Sequence, residues 1–365
     1  MILRSKTTTL FAGRNLTDRQ KANTELNMCE LQMGSTVLQS LPRRIVFELT
    51  NSCNLNCIMC GRNASNFNLT QLDMNWFNAL EPLFDTVEEV TLLGWGEPTT
   101  HPHFPEMLKR INLHAARKYF CTNGMLLDEL TDTIFDATVD VFAVSMDGAS
   151  PETNDSIRKG SDLEKINKNL REIVRIKRSN NLTYPYINYV FCAMKRNLNE
   201  LPQVVEMAAD IGLEEVKVVF LTSFGEEFSS ETLYGCQDVV IETFDLAEKR
   251  AKELGVLLKL PYVQGHDPAG DKLHRDCFVA YRDFYLGSDG YVRPCMSTAD
   301  KFFLYDPKQD FVTMWNKEEY QEYRRNVNTQ NMHINCRSCY QSSHCNWNNK
   351  KSYNQEGENF APKWV

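Results

Sequence analysis

The stretch Arg44-Ile-Val-Phe-Glu-Leu-Thr-Asn-Ser-Cys53-Asn-Leu-Asn-Cys57-Ile-Met-Cys60 places three cysteines directly after an apolar run. The run at 44–49 predicts a β-strand, so the cysteines lie on the loop at its C-terminal end. Cysteine thiolates are the usual ligands of iron–sulfur clusters, and three neighbouring thiolates can hold three irons of a [4Fe–4S] cubane. The fourth iron then has no protein ligand nearby, and an open position on a metal is a place for chemistry.

Two other interpretations of these cysteines remain open. One is a structural zinc knuckle, which needs four ligands, whereas no fourth cysteine or histidine follows closely and the next histidine is His101. The other is a set of incidental cysteines in a loop. The motifs further along the chain favour the iron–sulfur interpretation.

The spacing C-x3-C-x2-C resembles the signature of the radical S-adenosylmethionine (SAM) superfamily. In that family the open iron binds the amino and carboxylate groups of SAM. The resemblance implies that Cys53, Cys57 and Cys60 are the cluster ligands. One departure is Met59, where the family more often has an aromatic residue.

Composition limits the class of protein. The chain has 365 residues, of which 42% are hydrophobic and 24% charged, enough for one large domain and a small one. A net charge of −8 without a long basic run predicts no nucleic-acid partner. No apolar stretch is long enough for a membrane span or a secretory signal, so we expect a cytoplasmic protein with no membrane partner. Twelve cysteines in such a chain predict metal ligation in a reducing compartment.

Most of the chain alternates strand and helix patterns. We predict an N-terminal arm at 1–43 in which Thr17 begins a short helix, an α/β domain at 44–260, and a small C-terminal domain at 261–365. Strands are predicted at 44–49, 89–93, 118–121, 139–145, 184–194 and 215–221, with helices near 71–84, 103–115, 126–137, 161–179, 198–211 and 232–254. This alternation predicts a parallel sheet with chemistry at the C-terminal strand ends. Six units predict an open, partial (β/α)6 TIM-like barrel, the fold that the resemblance implies.

The second and third strands are followed by short motifs that carry the resemblance further. After the second comes Gly94-Trp-Gly96-Glu97-Pro98, whose glycines allow close approach to the backbone. It resembles the family's Gly-Gly-Glu motif at the SAM ammonium group, which implies that Gly96 and Glu97 bind the cofactor. A tight turn is the alternative. After the third comes Thr122-Asn-Gly124, an ordinary turn by itself that matches a stretch common near the family's SAM site.

The fourth strand is followed by Ser145-Met-Asp147-Gly148 and then by Arg158. The resemblance points to Ser145 as a contact to the ribose or carboxylate of SAM, with Asp147 as a further polar contact. Arg158 lies at a distance typical of the arginine that pairs with the SAM carboxylate, a bidentate role that suits a guanidinium. The alternatives are that Asp147 caps the next helix and that Arg158 is a solvated residue near a helix end.

The C-terminal region has a second cysteine pattern: Cys277, Gly290, Cys295, Cys336, Cys339 and Cys345. A hairpin at 285–293 and a helix near 314–326 are predicted between its halves. The pattern resembles the SPASM domain, which carries auxiliary [4Fe–4S] clusters in many radical SAM enzymes. Since no cysteine follows Cys345 and two clusters would need eight thiolates, we predict one auxiliary cluster, as in the shortened "twitch" form. Its predicted ligands are Cys277, Cys295, Cys336 and Cys339, and Cys345 either replaces one of them or is a free thiol. A zinc site is the alternative.

The resemblance implies reductive cleavage of SAM to a 5′-deoxyadenosyl radical, with flavodoxin or ferredoxin as the electron donor. The arm at 1–43 is smaller than a usual domain, so we expect no separate peptide-recognition domain and favour oxidation or epimerisation of a small or sugar-like substrate. Cys236 and Cys345 are candidate hydrogen donors for epimerisation. The alternatives are a maturase acting on a peptide or protein and, in another class, a non-catalytic iron–sulfur electron carrier.

Overall fold

A single sheet organises the protein. The computed structural model describes residues 15–64, 68–221, 226–233, 235–261, 277–295, 300–329, 331–333 and 336. Its strands are β1 (Arg44–Phe47), β2 (Glu89–Leu92), β3 (Arg117–Thr122), β4 (Val141–Ser145), β5 (Tyr186–Ala193), β6 (Glu215–Phe220), β7 (Leu257–Lys259), β8 (Asp283–Leu286), β9 (Tyr291–Arg293) and β10 (Phe303–Leu304). They follow the order β10-β9-β8-β1-β2-β3-β4-β5-β6-β7, and every pair from β8 through β1 to β7 is parallel.

Helices alternate with the strands along the chain. They are α1 (Asp18–Met33), α2 (Met74–Leu80), α3 (Phe104–Ile111), α4 (Leu127–Asp136), α5 (Pro151–Ile157), α6 (Leu163–Ser179), α7 (Leu201–Ile211), α8 (Gln237–Leu254), α9 (Val279–Arg282), α10 (Phe311–Trp315) and α11 (Glu318–Asn326). The predicted partial (β/α)6 barrel is confirmed, and each of its six strands lies within three residues of the predicted bounds. Strand β7 and the short helix α5 were not predicted. Within the described ranges, no helix has the length and apolar composition that crossing a membrane requires.

The two faces of the sheet differ in chemistry. Toward the helices it is apolar: Phe47, Phe120 and Phe142 are fully buried, and the rings of the last two stack with centroids 5.2 Å apart. The opposite side, here called the inner face, carries polar groups such as Arg44 and Glu215. Strands of parallel sheets are usually apolar on both faces because both are covered. Polar groups on the inner face therefore mark the barrel interior.

The C-terminal region continues the same sheet. Strand β8 pairs in parallel with β1, with Asp283 beside Arg44 and Leu286 beside Phe47. The predicted hairpin follows, since β8 and β9 are antiparallel and Gly290 takes a φ of +80° in the turn. The domain boundary predicted after residue 260 thus falls between two strands of one sheet.

The N-terminal arm is more ordered than expected. Thr17 does begin a helix, with a capping box to Gln20, but α1 runs for 16 residues and is not short. Its buried side is polar: Gln20 Nε2 donates to Val87 O at 2.7 Å and Asn27 Nδ2 donates to Tyr281 O at 2.8 Å. Since the helix docks through hydrogen bonds and not through an apolar stripe, its sequence shows little apolar periodicity.

Candidate active site

The three-cysteine loop leaves β1 and is held by the backbone that follows α5. Asn56 N donates to Lys159 O and Ile58 N donates to Ile157 O, both at 2.9 Å. Cys60 N donates to Cys57 O at 3.2 Å, which closes a turn between the second and third cysteines. These bonds fix the loop over the C-terminal ends of the strands, as predicted from the position of the motif.

Hydrogen-bond donors surround the thiols, which are half-buried. Leu55 N donates to Cys53 Sγ at 3.4 Å, and Asn123 Nδ2 lies 3.8 Å from the same sulfur. Arg158 Nη1 lies 4.0 Å from Cys57 Sγ. Burial raises the pKa of the Cys57 thiol to about 11, although Arg158 acts against this shift. A cluster iron bound at this position would supply the positive charge that favours the Cys57 thiolate.

These features fit an iron–sulfur cluster better than a single metal ion. Among the described residues, no three cysteine, histidine or carboxylate side chains converge closely enough to hold one ion. A cubane is larger than an ion and spreads its thiolates further apart. Hydrogen bonds to the sulfurs, such as those near Cys53 and Cys57, tune clusters of this kind. The donor set and its surroundings are thus suited to Cys53, Cys57 and Cys60 as the ligands of a [4Fe–4S] cluster.

Gly96 joins the loop after β2 to the cysteine loop. Its N–H donates to Thr50 O at 3.1 Å, and Glu97 N donates to Ser52 O at 2.8 Å. A Cβ atom at Gly96 would lie only 2.2 Å from Ser52 O, so no larger residue fits without moving the backbone. The predicted close approach at this glycine is therefore to the backbone of the cysteine loop, and it places both loops at the same edge of the sheet.

Glu97 connects the ends of β2 and β3. It is 3% exposed, and its carboxylate accepts from Thr99 Oγ1 and Thr122 Oγ1, both at 2.7 Å, and from Asn123 N, also at 2.7 Å. Burial raises the pKa of Glu97, and these donors act against the shift. Glu97 therefore positions Asn123 beside Cys53, and its contact with the cofactor stays a prediction.

Arg158 and Asp147 form a buried ion pair between the cysteine loop and β5. Arg158 Nε lies 2.7 Å from Asp147 Oδ2, and Asp147 Oδ1 accepts from Cys192 N at 2.8 Å. Arg158 is 8% exposed, so the interpretation of it as a solvated residue is wrong. The capping interpretation of Asp147 is also wrong, because Ser150 is the N-cap of α5.

Ser145 lies on the inner face beside two half-buried thiols. Its hydroxyl is 3.6 Å from Cys121 Sγ. Cys192 also lies on this face, in a small apolar cluster that includes Met59 of the cysteine loop. Burial raises the pKa of Cys192 far above its usual range. The sequence predicts that both thiols behave as small apolar groups, because they fall within apolar strands. The two-residue alternation of β3 and β5 places both on the side opposite Phe120 and Phe191.

Glu48 is a buried carboxyl group that sequence analysis did not single out. It is 3% exposed and joins three strand ends: Oε1 accepts from Trp95 N at 2.9 Å and Oε2 accepts from Ser288 N at 3.2 Å. Burial raises the pKa of Glu48, opposed by the bond from Trp95. A Cβ at Gly94 would lie 2.3 Å from its Cγ. The available signal was a glutamate within an otherwise apolar strand.

The C-terminal cysteines are described in part. Cys277 exchanges two backbone-to-side-chain hydrogen bonds with Asn328, both 2.8 Å long. Cys336 N donates to His333 O at 2.9 Å. Cys295 follows β9 and is close enough to the buried Tyr285 to help raise the pKa of that phenol. Cys339 and Cys345 lie outside the described residues, so the predicted auxiliary ligand set stays a prediction.

Cys236 lies on the helix side of the sheet. It immediately precedes α8 and packs against the apolar core on the helix side of the sheet. Cys121 and Cys192, in contrast, lie on the inner face beside Ser145 and Asp147. The donor role of Cys236 therefore stays a prediction that no contact of the thiol supports.

Two family models match the chain. Residues 47–191 match the model described as the radical SAM superfamily, and residues 277–340 match SPASM, described as an iron-sulfur cluster-binding domain. The first match contains all three cysteines of the loop together with Glu97, Asp147 and Arg158. The second begins at Cys277 and ends just after Cys339.

Known proteins resemble the chain at low identity. The AdoMet-dependent heme synthase of Methanosarcina barkeri is 30% identical over 199 residues, which cover 53% of this chain and 55% of the synthase. The tungsten-containing aldehyde ferredoxin oxidoreductase cofactor-modifying protein of Pyrococcus furiosus is 25% identical over 261 residues, 69% of this chain and 70% of that protein. Streptococcus suis SuiB bound to the precursor peptide SuiA has a similar fold, with a TM-score of 0.63 and 14% identity over 85% of this chain and 72% of SuiB.

Proposed function

We propose that this chain, which belongs to the radical SAM superfamily and carries a SPASM domain at its C-terminal end, removes a hydrogen atom from an unactivated C–H bond of a small or sugar-like substrate. Its cofactors are SAM and [4Fe–4S] clusters, one of them on the loop of Cys53, Cys57 and Cys60. One electron from the reduced cluster would cleave bound SAM into methionine and a 5′-deoxyadenosyl radical, and this radical would become 5′-deoxyadenosine on taking the substrate hydrogen.

The observation that carries this proposal is the contact network around the cysteine loop. Arg158 lies within 4.0 Å of Cys57 Sγ and is held in place by Asp147. Its guanidinium is the cation available beside the loop for the carboxylate of SAM. Asn123, placed by Glu97, approaches Cys53 from the other side. A simple electron carrier needs no such set of positioned polar groups beside its cluster.

The reaction type depends on what happens to the substrate radical, and two outcomes are open. Loss of an electron to the auxiliary cluster gives oxidation, and gain of a hydrogen atom from a thiol gives epimerisation. The half-buried Cys121 and Cys192 are thiols on the inner face, which keeps epimerisation open. We expect the enzyme to act in the cytoplasm with flavodoxin or ferredoxin as the electron donor.

The second candidate is a maturase for a peptide or protein. The similarity of fold to SuiB, solved with its precursor peptide, favours it. The names of the heme synthase and the cofactor-modifying protein point instead to cofactor-sized substrates for those two relatives. The polar inner face of the sheet also favours a small substrate with polar groups.

Reductive SAM cleavage tests the enzyme proposal. The reconstituted protein is incubated anaerobically with SAM and dithionite, and 5′-deoxyadenosine is measured. Absence of this product, with clusters intact, would refute the proposal in favour of an electron carrier. Once a substrate is known, reaction in heavy water separates the two outcomes: an epimerised product gains deuterium from an exchangeable thiol, and an oxidised product gains none at the reacting carbon.

A further inference from the structure

Glu48 directly follows β1 and accepts hydrogen bonds from two segments that are distant in sequence. Its Oε1 accepts from Trp95 N at 2.9 Å, in the loop after β2. Its Oε2 accepts from Ser288 N at 3.2 Å and from Ser288 Oγ at 3.1 Å, in the turn between β8 and β9. The loop belongs to the radical SAM match and the turn belongs to the SPASM match. One buried carboxylate therefore joins the two matched regions.

On the side of the cysteine loop, Glu48 begins a row of contacts with the loop after β2. Trp95 N donates to the Glu48 side chain, and the next two N–H groups donate to the carbonyl oxygens of residues 50 and 52. A Cβ atom at Gly94 would lie 2.3 Å from Glu48 Cγ, so the loop lies directly against this side chain. Gly96 and Glu97 are the residues of this loop that are expected to bind SAM. Their position therefore depends on the contact between Trp95 and Glu48.

On the other side, Glu48 holds the hairpin of β8 and β9. Ser288, in its turn, is 2% exposed and donates both its N–H and its hydroxyl to Glu48 Oε2. Glu48 N also donates to Leu286 O at 2.9 Å, so the backbone and the side chain of Glu48 both bind the hairpin. Cys295, a predicted ligand of the auxiliary cluster, lies two residues after the end of β9. Ser288 and this predicted ligand are thus carried by the same hairpin.

Glu30 provides a comparison within the same chain. It is 4% exposed, and its carboxylate accepts from Gln39 N at 2.6 Å, from Ser40 N at 3.2 Å and from Ser40 Oγ at 2.5 Å. These donors are nine and ten residues away along the chain, whereas the donors to Glu48 are 47 and 240 residues away. The two carboxylates receive the same kinds of donor, but Glu30 closes a local turn and Glu48 joins two distant segments.

We propose that Glu48 is a positioning residue through which the C-terminal hairpin holds Trp95, and with it Gly96 and Glu97, in the arrangement that binds SAM. The hairpin fixes one carboxylate oxygen, and the other oxygen fixes the loop after β2. The SAM site is then complete only when the hairpin is docked. This inference rests on the proposed function, since it takes the loops after β1 and β2 as the SAM site.

Glu48→Gln tests the position of the loop. The amide keeps the size of the side chain, but its nitrogen is a donor and accepts from neither segment, so one of the two contacts is lost. Reconstituted wild type and variant are compared by equilibrium dialysis against labelled SAM, and iron is measured on the same samples. We expect the dissociation constant of SAM to rise by about tenfold, the effect of losing one hydrogen bond to a charged group. An unchanged dissociation constant at equal iron content would overturn the inference.

Glu30→Gln is the matched control. It makes the same change in a buried carboxylate that also accepts from two backbone N–H groups and one serine hydroxyl. Both variants should lower the urea midpoint of the cluster-free protein to a similar extent, because each leaves a buried donor without its acceptor. Only Glu48→Gln should weaken SAM binding. An equal rise of the SAM dissociation constant in Glu30→Gln would show a general effect of lost stability and would overturn the inference.

Ser288→Ala tests the contribution of the hairpin, and it is mild enough to carry the test if Glu48→Gln takes up no iron. The variant loses the hydroxyl and keeps the backbone N–H. We expect the dissociation constant of SAM to rise by about threefold, although Ser288 lies in the SPASM match. An unchanged value would mean that the hairpin does not act on the SAM site.

The double variant Glu48→Gln/Ser288→Ala tests whether the hairpin acts through Glu48. Its SAM dissociation constant should match that of Glu48→Gln within about twofold, because Ser288 has then already lost the carboxylate through which it acts. A rise of about thirtyfold over the wild type, the product of the two single effects, would mean that the residues act separately and would overturn the inference.

Failure of the proposed function is recognised separately. Wild-type protein that binds no SAM, or that forms no 5′-deoxyadenosine with SAM and dithionite, would refute the proposed function and with it this inference. Wild-type protein that binds and cleaves SAM, together with a Glu48→Gln variant of unchanged SAM affinity, would refute the role of Glu48 alone.

Discussion

Arg158 Nε lies 2.7 Å from Asp147 Oδ2 in a site that buries both side chains, and the same guanidinium reaches to 4.0 Å from Cys57 Sγ. The pair links the end of β4 to the cysteine loop. Asp147 thereby fixes the direction of Arg158, and Arg158 keeps a positive charge at the place where SAM is proposed to present its carboxylate. Burial opposes that charge, but Asp147 more than compensates, and the pKa of Arg158 is raised.

Asp147→Asn should destabilise the fold strongly, because it leaves the Arg158 guanidinium buried without its counter-charge. Removing one partner of a buried ion pair costs about 3–5 kcal/mol. Urea unfolding of the cluster-free protein measures the loss. Asp210→Asn is the matched control, since the Arg171–Asp210 pair is more than half exposed and should contribute about 0–1 kcal/mol. Equal losses in the two variants would mean that the buried Arg158–Asp147 pair stabilises the fold no more than an exposed ion pair does.

Arg158→Lys should separate folding from cofactor binding. Lysine keeps the charge for Asp147 but lacks the fork that binds a carboxylate with two parallel hydrogen bonds. We expect the dissociation constant of SAM, measured by equilibrium dialysis on the reconstituted protein, to rise by about tenfold or more while iron content is retained. Unchanged SAM affinity would remove Arg158 from the proposed site.

Glu97→Gln should weaken SAM binding through Asn123. The glutamine amide places an N–H donor where Thr99, Thr122 and Asn123 also donate, so at least one of these buried donors loses its acceptor. We expect a loss of about 1–3 kcal/mol in the free energy of unfolding and an increased dissociation constant for SAM. Glu129→Gln, on the exposed side of α4, is the control and should change neither quantity. If Glu97→Gln weakened folding and left SAM affinity intact, Glu97 would be structural alone.

Much of the fold could be predicted because hydrophobic periodicity is local. The six barrel strands and the helix ending at Gly255, whose φ is +73°, follow from alternating apolar runs and one C-cap glycine. The parallel pairing of β8 with β1 could not be predicted, since it joins segments more than 230 residues apart that carry no local signal. Helix α1 was underestimated because its buried face carries Gln20 and Asn27, and hydrogen bonds to distant backbone leave no apolar stripe to recognise.

The sequence motifs of the site could be predicted, but the contacts that their side chains make could not. Cys53, Glu97 and Arg158 stand out because a family pattern surrounds them. Which atoms each residue binds depends on loops brought together by the sheet, and for this reason the contacts of Glu97 with Thr122 and Asn123 could not be predicted. The ion pair between Lys259 and Glu215 becomes visible only once the register of β6 and β7 is known.

We expect the cysteine loop and the C-terminal cysteines to bind one iron–sulfur cluster each. Changing Cys53, Cys57 and Cys60 all to alanine is expected to lower the iron of reconstituted protein from about eight to about four per chain, each cubane holding four. Iron, sulfide and zinc are measured together under anaerobic conditions. About four irons in the wild type and none in the variant, with zinc in both, would make the C-terminal site a zinc site and would favour redox-neutral chemistry such as epimerisation.

Asp283 should give the protein a distinct stability change in acid. Burial alone would raise the pKa of this carboxyl, but Arg282 and Arg44 outweigh it and hold the pKa at about 2. In the unfolded chain an aspartate titrates near 3.9, so between about pH 4 and pH 2 the unfolded state binds more protons and wild-type stability falls as the pH is lowered. The contribution lost across this window is about 2–3 kcal/mol.

Asp283→Asn removes this dependence. Above about pH 4 the wild type should exceed the variant in unfolding free energy by the whole contribution of the ionised Asp283. This difference should become smaller as the pH approaches 2. Urea unfolding of cluster-free protein at several pH values measures it. Asp136→Asn, in an exposed pair with Lys109, is the control and should show little difference at any pH. A wild-type advantage over Asp283→Asn that stayed constant down to pH 2 would mean that the Asp283 carboxyl is not held ionised by Arg44 and Arg282.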